Sequence, residues 1–334
     1  YVLPPGVNRI SDPGQSQIVQ LNEQSMSLKV VGLEAGDARA VYRNTQQDLR
    51  NYSRMQMWVH AESLIDDVSS LRSGDLTVFV RLGTDVKNNF YEYEVPLQLT
   101  PHGFYYDNPV DRAKVWPAAN FLDFNLQSLV NLKLERNAAK RAQESGVGFA
   151  TPYTSRDPDN EQNTMTVVGN PSLSDVRVML IGIRNRSATS KSGIVWVNEL
   201  KVTDFNEAGG WAAKANATLN ISDIATLNLG THIETAGFGS VDQSLNERRL
   251  DDYYQYNMAV QADLGRFFPA GAKLRAPIYY SVSKEKTSPK YNPLDQDVLL
   301  KDALDNVETK QERDSINAYA VDKTTIQNFS ISGL

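Results

Sequence analysis

The stretch that decides the fold is GWAAKANATLNISDIATLNLGTHIE, residues 210–234. Trp211, Ala213, Ala215, Ala217, Leu219 and Ile221 occupy every odd position. Lys214, Asn216, Thr218 and Asn220 stand between them. After Ser222-Asp223 the alternation resumes in shifted phase, with Ala225, Leu227, Leu229 and Ile233 set against Thr226, Asn228 and His232. A period of two with a tight polar turn between the halves predicts a β-hairpin with one apolar face. The fold then turns on whether that face packs on a protein core or meets lipid.

The same texture continues toward the C-terminus. Tyr254, Tyr256, Met258, Val260, Ala262 and Leu264 alternate with Gln255, Asn257, Ala259, Gln261 and Asp263. Leu274, Ala276, Ile278, Tyr280 and Val282 form another alternating set, and a last strand is expected from near Thr324 past Phe329 and Ile331. Three features favour lipid. Each strand is predicted at about 10–12 residues, close to the ~9–11 that cross a bilayer and longer than the ~5–6 of an ordinary strand. The polar faces carry Asn, Gln, Thr and Ser more than Lys and Glu, as suits a barrel lumen. The links alternate too: 222–223 is tight, the link up to Asp252 is long and charged, GRFFPAGA (265–272) is short, and the link from Lys284 to about Lys323 is long again.

On this reading Leu219, Ile221, Leu227, Leu229, Met258, Val260 and Leu264 are the lipid-facing candidates. Asn216, Asn220, Asn228, Gln255, Asn257 and Gln261 are the lumen-facing candidates. Trp211, Tyr253, Tyr254, Phe267, Phe268, Tyr279 and Tyr280 lie near strand ends, where aromatic girdles sit. If the Ser222 turn is periplasmic, the chain before Trp211 lies outside the cell. Four or five strands cannot close a barrel, which needs at least about eight, so the remaining wall must come from elsewhere.

Residues 1–24 carry prolines and glycines in VLPPGVNRISDPGQSQ and are expected to be an extended arm. Residues 25–207 are expected to form an antiparallel, jelly-roll-like β-sandwich with one helix. Its strands are read in MSLKVVGL (26–33), SRMQMWVHAES (53–63), DLTVFVRLG (75–83), FYEYEVPLQLT (90–100), TMTVVG (164–169), DVRVMLIGIRNR (175–186) and SGIVWVNELKVTDF (192–205). The helix is read in LDFNLQSLVNLKLERNAAKRAQESG, where Leu126, Leu129, Val130 and Leu134 recur at helical spacing and Gly146 is the expected stop. Residues 147–163 read as loop. NEAGG (206–210) is the linker, and 208–334 is the barrel-strand segment.

The net charge of −6 disfavours nucleic acid as a partner, and the absence of Cys excludes disulfides and thiol chemistry. No apolar run reaches the roughly eighteen residues that mark a membrane helix. The chain opens on Tyr1 with no signal peptide and is expected to be a piece of a longer protein. His60, His102 and His232 have no metal-ligand spacing, and RNAAKR reads as a solvated basic helix end. Asp66-Asp67 reads as a turn, and Asp295 and Asp297 as the opening of a helix. Glu92 and Glu94 share one strand face without a partner carboxylate. No catalytic constellation, metal site or cofactor motif is found, so a non-enzyme is expected.

YVLPPGVNR at the start, LNEQSMSLKVVGLEAGDARAVYRNTQQDLRNYSRMQMWVHAES (21–63), IVWVNELKVTDF (194–205), and LGRFFPAG followed by PIYYSVSKEKTSPKYNPLDQDVLL resemble the SprA/Sov family. These are the giant outer-membrane proteins of gliding motility and type 9 secretion in Bacteroidetes. The resemblance runs in order along nearly the whole chain. It implies an internal piece of a large translocon barrel through which cargo proteins leave the periplasm, with other secretion components gating it and no catalytic residues. The implied surroundings are outer-membrane lipid, the rest of the same barrel and cargo. The competing reading is a carbohydrate-binding jelly roll with an additional β domain, in which Tyr91, Tyr93, Tyr105 and Tyr106 line a groove.

Overall fold

The computed structural model describes residues 2–9, 23–66, 69–244, 247–269 and 275–331. The chain is mainly antiparallel β and separates into two compact units, Tyr1–Asn206 and Glu207–Leu334. No helix among the described residues is long and apolar enough to cross a membrane, which says nothing of strands.

The first unit holds β1 (Met26–Leu33), β2 (Ala38–Gln47), β3 (Tyr52–Glu62), β4 (Leu76–Gly83), β5 (Phe90–Pro96), α1 (Pro109–Val115), β6 (Leu122–Asn125), α2 (Leu126–Arg141), β7 (Tyr153–Arg156), β8 (Thr164–Val168), β9 (Val176–Asn185) and β10 (Lys191–Phe205). They form a four-stranded sheet in the order β1-β10-β3-β6 and a six-stranded sheet in the order β2-β9-β4-β5-β8-β7. The arrangement is sandwich-like. Met55, Met57, Val59 and Ala61 bury from β3, Leu76, Val78, Val80 and Leu82 from β4, and Tyr91, Tyr93 and Val95 from β5. These are the alternate positions of each strand, as the pleat requires.

Several details depart from the expectations. The unit has a second helix, α1, started by Asn108, whose side chain accepts from the Asp111 N–H, with Pro109 at its first position. Residues 147–163 contain β7. Helix α2 begins at Leu126 rather than with the LDFN that precedes it, and Gln143 (φ 57) is the left-handed residue directly after its cap, with Gly146 (φ 82) left-handed three residues later. The basic end of α2 is not simply solvated. Arg136 is buried, with Nη1 donating to the Gly169 carbonyl at 2.6 Å, and buried Lys133 donates to the Pro171 carbonyl at 3.1 Å. In the N-terminal arm Val2, Leu3 and Val7 are buried, and the Trp116 indole donates to the Val2 carbonyl at 3.0 Å. The rest of that arm, residues 10–22, lies outside the described residues, as does Asp67, while Asp66 sits in a turn.

The second unit holds β11 (Ala212–Ile221), β12 (Ala225–Glu234), β13 (Asp251–Asp263), β14 (Pro277–Pro289), β15 (Tyr291–Asn292), β16 (Asp295–Leu299), α3 (Leu300–Asp305), α4 (Lys310–Ala320) and β17 (Asp322–Ile331). Five strands make one antiparallel sheet in the order β11-β12-β13-β14-β17. Asp295 and Asp297 do not open a helix. They lie in β16, which pairs with β15, and α3 starts at Leu300. The start of the expected strand at Leu274 falls outside the described residues, and β14 begins at Pro277.

Candidate functional site

The pairing of the five-stranded sheet is continuous, so cross-strand neighbours can be read row by row. Ile221 pairs with Ala225, Ala225 with Ala262, Ala262 with Ile278, and Ile278 with Ile331. The next row on the same face is Leu219, Leu227, Val260, Tyr280 and Phe329, and the one after is Ala217, Leu229, Met258, Val282 and Gln327. Two further rows run Ala215, Thr231, Tyr256, Lys284, Thr325 and Ala213, Ile233, Tyr254, Lys286, Lys323. The face is therefore apolar from the Ser222 end to its middle, and on β14 and β17 it closes with lysines. Leu229 is 40%, Leu219 52% and Phe329 65% exposed, so this apolar surface is not a buried core. Contiguous apolar exposure on this scale marks an interaction or membrane surface.

The opposite face carries Asn220, Thr226, Gln261, Tyr279 and Ser330 in one row. Thr218, Asn228, Ala259, Ser281 and Asn328 make the next, and Asn216, Gly230, Asn257, Ser283 and Ile326 the third. The amides and hydroxyls of this face bond to one another across strands. The Thr218 hydroxyl donates to Asn228 Oδ1 at 2.8 Å, Thr226 to Asn220 Oδ1 at 3.1 Å, and Ser283 to Asn257 Oδ1 at 2.7 Å. Gly230 leaves room in the middle: a Cβ there would stand 3.1 Å from Asn216 Oδ1. Charge returns in the fourth row, where Lys214, His232, Gln255 and Glu285 align and Gln255 Nε2 donates to Glu285 Oε1 at 2.8 Å.

All six polar candidates (Asn216, Asn220, Asn228, Gln255, Asn257 and Gln261) thus share one face, and Leu219, Ile221, Leu227, Leu229, Met258 and Val260 share the other. Leu264 has left the sheet and lies in a 3₁₀ turn, Leu264–Phe267. The aromatics divide by the same period of two. Tyr254 and Tyr280 stand on the apolar face near opposite ends, while Tyr253 and Tyr279 stand on the polar face. Trp211 extends the apolar face beyond β11 and is exposed, with its N–H donating to Thr235 Oγ1. Phe267 and Phe268 are exposed at the other end. Tyr256, Phe329 and the lysines at 284, 286 and 323 complete the apolar face and were not among the sequence candidates. Their signal is parity: each keeps the odd-even phase of its strand.

The connections put 222–224 and 264–276 at one end and 235–250 and 290–321 at the other. The first is the tight turn expected, with three residues between paired Ile221 and Ala225 and Ser222 at φ 47. The link 264–276 is longer than GRFFPAGA alone, so the contrast between the two ends rests chiefly on 222–224 against 290–321. That last link is folded, with β15, β16, α3 and α4. Arg249 braces the base of the 235–250 link, with Nη2 to Asp251 Oδ2 at 2.8 Å and Nη1 to Glu234 Oε2 at 2.6 Å. The Asp251 and Glu234 carboxylates hold the guanidinium above its usual range.

The remaining chemistry-bearing residues have structural partners. Glu92 and Glu94 are buried on the six-stranded sheet and share Arg184, with Arg81 also on Glu92 and Arg186 on Glu94. The carbohydrate-groove reading loses two of its four tyrosines, while Tyr106 is exposed and Tyr105 half-buried. Tyr91 and Tyr93 are each 1% exposed in the sandwich interior, so they cannot stack on a sugar. Among the described residues no group of three His, Asp or Glu could hold a metal ion.

No curated protein matches the chain. The family model SprA_N, described as motility related/secretion protein, matches residues 1–304. That match covers most of the 334 residues, and the chain belongs to this motility and secretion family.

Proposed function

We propose that the sheet of the second unit is a segment of an outer-membrane β-barrel wall, and that the barrel conducts secreted proteins. The observation that carries this reading is the separation of the two faces: one apolar and exposed, the other amide- and hydroxyl-rich. Strand length supports it. Ten residues at about 3.4 Å each span about 34 Å, and a tilt of about 45° brings that to about 24 Å, the height of the apolar band of such barrels. Among the described residues the outer strands β11 and β17 each pair on one side only. In lipid an open edge leaves backbone N–H and C=O groups unsatisfied, so further strands must continue the wall on both sides. The polar face then lines a lumen that passes hydrated cargo without gripping it.

In this reading the Ser222 turn is periplasmic and the first unit lies on the extracellular side. The role is transport rather than catalysis, with other secretion components, cargo proteins and outer-membrane lipid as the partners. The test is Leu229→Lys and Val260→Lys in the full-length protein. A lysine at mid-bilayer on the lipid face costs about 2–4 kcal/mol, so assembly in the outer membrane and secretion both fall, while Asn257→Lys on the polar face leaves assembly intact. Unchanged assembly and secretion in both apolar-face variants would overturn the reading.

A further inference from the structure

We infer that this sheet presents cargo with a charge-free, internally bonded band, past which proteins of either net charge move alike. The inference rests on the wall reading above. Three consecutive rows of the polar face, spanning all five strands, contain no Lys, Arg, His, Asp or Glu. From Asn216 to Asn220 the band covers four residue steps, about 14 Å along the strand. Charges stand at its two borders. Lys214 and Glu285 lie in the row beyond Asn216 and Ser283. At the Ser222 end, Asp263 lies in the row beyond Gln261, its Oδ1 accepting from the Gly265 and Ala276 N–H groups, and Asp223 pairs with Arg266 at 2.9 Å.

Two physical consequences follow. A wall lined by one sign of charge raises the local concentration of the opposite sign and repels its own; this band does neither. Three of its six hydroxyls are also engaged as donors. Thr218, Thr226 and Ser283 each donate to a neighbouring amide oxygen. A passing carboxylate or carbonyl therefore finds fewer free donors than the composition suggests, and exchange with water costs little. The cargo class that fits is a hydrated protein surface of any net charge, held by neither ion pairs nor an apolar patch.

These 334 residues contain no cysteine, so a cysteine placed in the sheet has no native thiol beside it, and the cysteine-unsubstituted full-length protein gives the background. Single cysteines are placed at Asn228 and Asn257 within the band, and at Gln255 beside Glu285, in the full-length protein in intact cells. Rates of modification by cationic and anionic membrane-impermeant methanethiosulfonates of equal size are each divided by the rate with free cysteine. At 228 and 257 the two normalised rates should agree within about twofold, whereas at 255 the cationic reagent should lead by several-fold, as a nearby carboxylate dictates. A preference of about tenfold for either sign at both 228 and 257 would overturn the charge-free band and leave the wall reading standing. No modification at 228 and 257, with ready modification of cysteines at Leu229 and Met258, would overturn the wall reading itself.

Discussion

Tyr93 and Phe124 lie ring on ring, with centroids 4.0 Å apart and planes 12° from parallel. Tyr93 belongs to β5 of the six-stranded sheet and Phe124 to β6 of the four-stranded sheet, so this stack ties the two layers together. The Tyr93 hydroxyl donates to buried Asp157 and accepts from Asn163 Nδ2 at 2.9 Å. Burial and the Asp157 bond push that hydroxyl far above its usual range, so it remains a donor. Phe124→Ala should cost about 3–5 kcal/mol, the range for emptying a core aromatic site. Tyr93→Phe should cost about 1–3 kcal/mol, because it strips a donor from a buried carboxylate. Thermal unfolding followed by near-ultraviolet circular dichroism checks both, and an unshifted transition in either variant would contradict the assignment.

Arg184 is the shared cation of Glu92 and Glu94. Its Nη1 lies 2.9 Å from Glu92 Oε1, and both carboxylates are buried. Arg184→Met leaves two carboxylates with too little positive charge, a change worth about 3–5 kcal/mol at neutral pH. Burial raises the Glu94 pKa, but bonds from Arg186 and Thr77 and the charges of Arg184 and Arg186 outweigh it, and the net shift is below 4.5. The folded state therefore favours the carboxylate. Its contribution is present above 4.5 and is lost as pH falls through the depressed folded value. The stability gap between wild type and Arg184→Met should narrow below that pH. A constant gap would remove Glu94 from the account.

His60 gives a pH dependence at a higher value. Its Nδ1 lies 2.7 Å from the Val115 carbonyl, and its ring is 4.3 Å from that of Trp196. Burial lowers its pKa below 6.5, against the opposing pull of the Val115 carbonyl and the Glu62 carboxylate. The unfolded chain therefore takes up a proton as pH drops below 6.5 while the folded chain does not. Stability should decline from that point down to the folded value. His60→Gln should flatten this part of the profile, and an unchanged slope would refute the role.

The faces of the second-unit sheet were legible because a strand exposed on both sides writes its two environments into odd and even positions. Leu227 and Asn228 needed no knowledge of their partners. The interior of the first unit was harder to read. Arg136 looks like a solvated basic residue until the chain at Gly169 brings a carbonyl to it. Asp295 and Asp297 carry the acidic signature of a helix start, but pairing with Tyr291–Asn292 makes a strand of them. Helix α1 has its Asn-Pro start in plain view, yet its seven residues are too few to show a period. Tyr91 and Tyr93 alternate in phase with Val95, and that parity placed them inside.

In a barrel wall, neighbouring residues on β12 and β13 meet different solvents, and spin-label accessibility reads this most directly. Nitroxides are attached singly at Leu229, Met258, Asn228 and Asn257 of the full-length protein in outer-membrane lipid. Labels at 229 and 258 should collide with oxygen, which concentrates in the hydrocarbon. Labels at 228 and 257 should collide with a water-soluble nickel chelate, in strict alternation. Equal nickel accessibility at all four positions would contradict it.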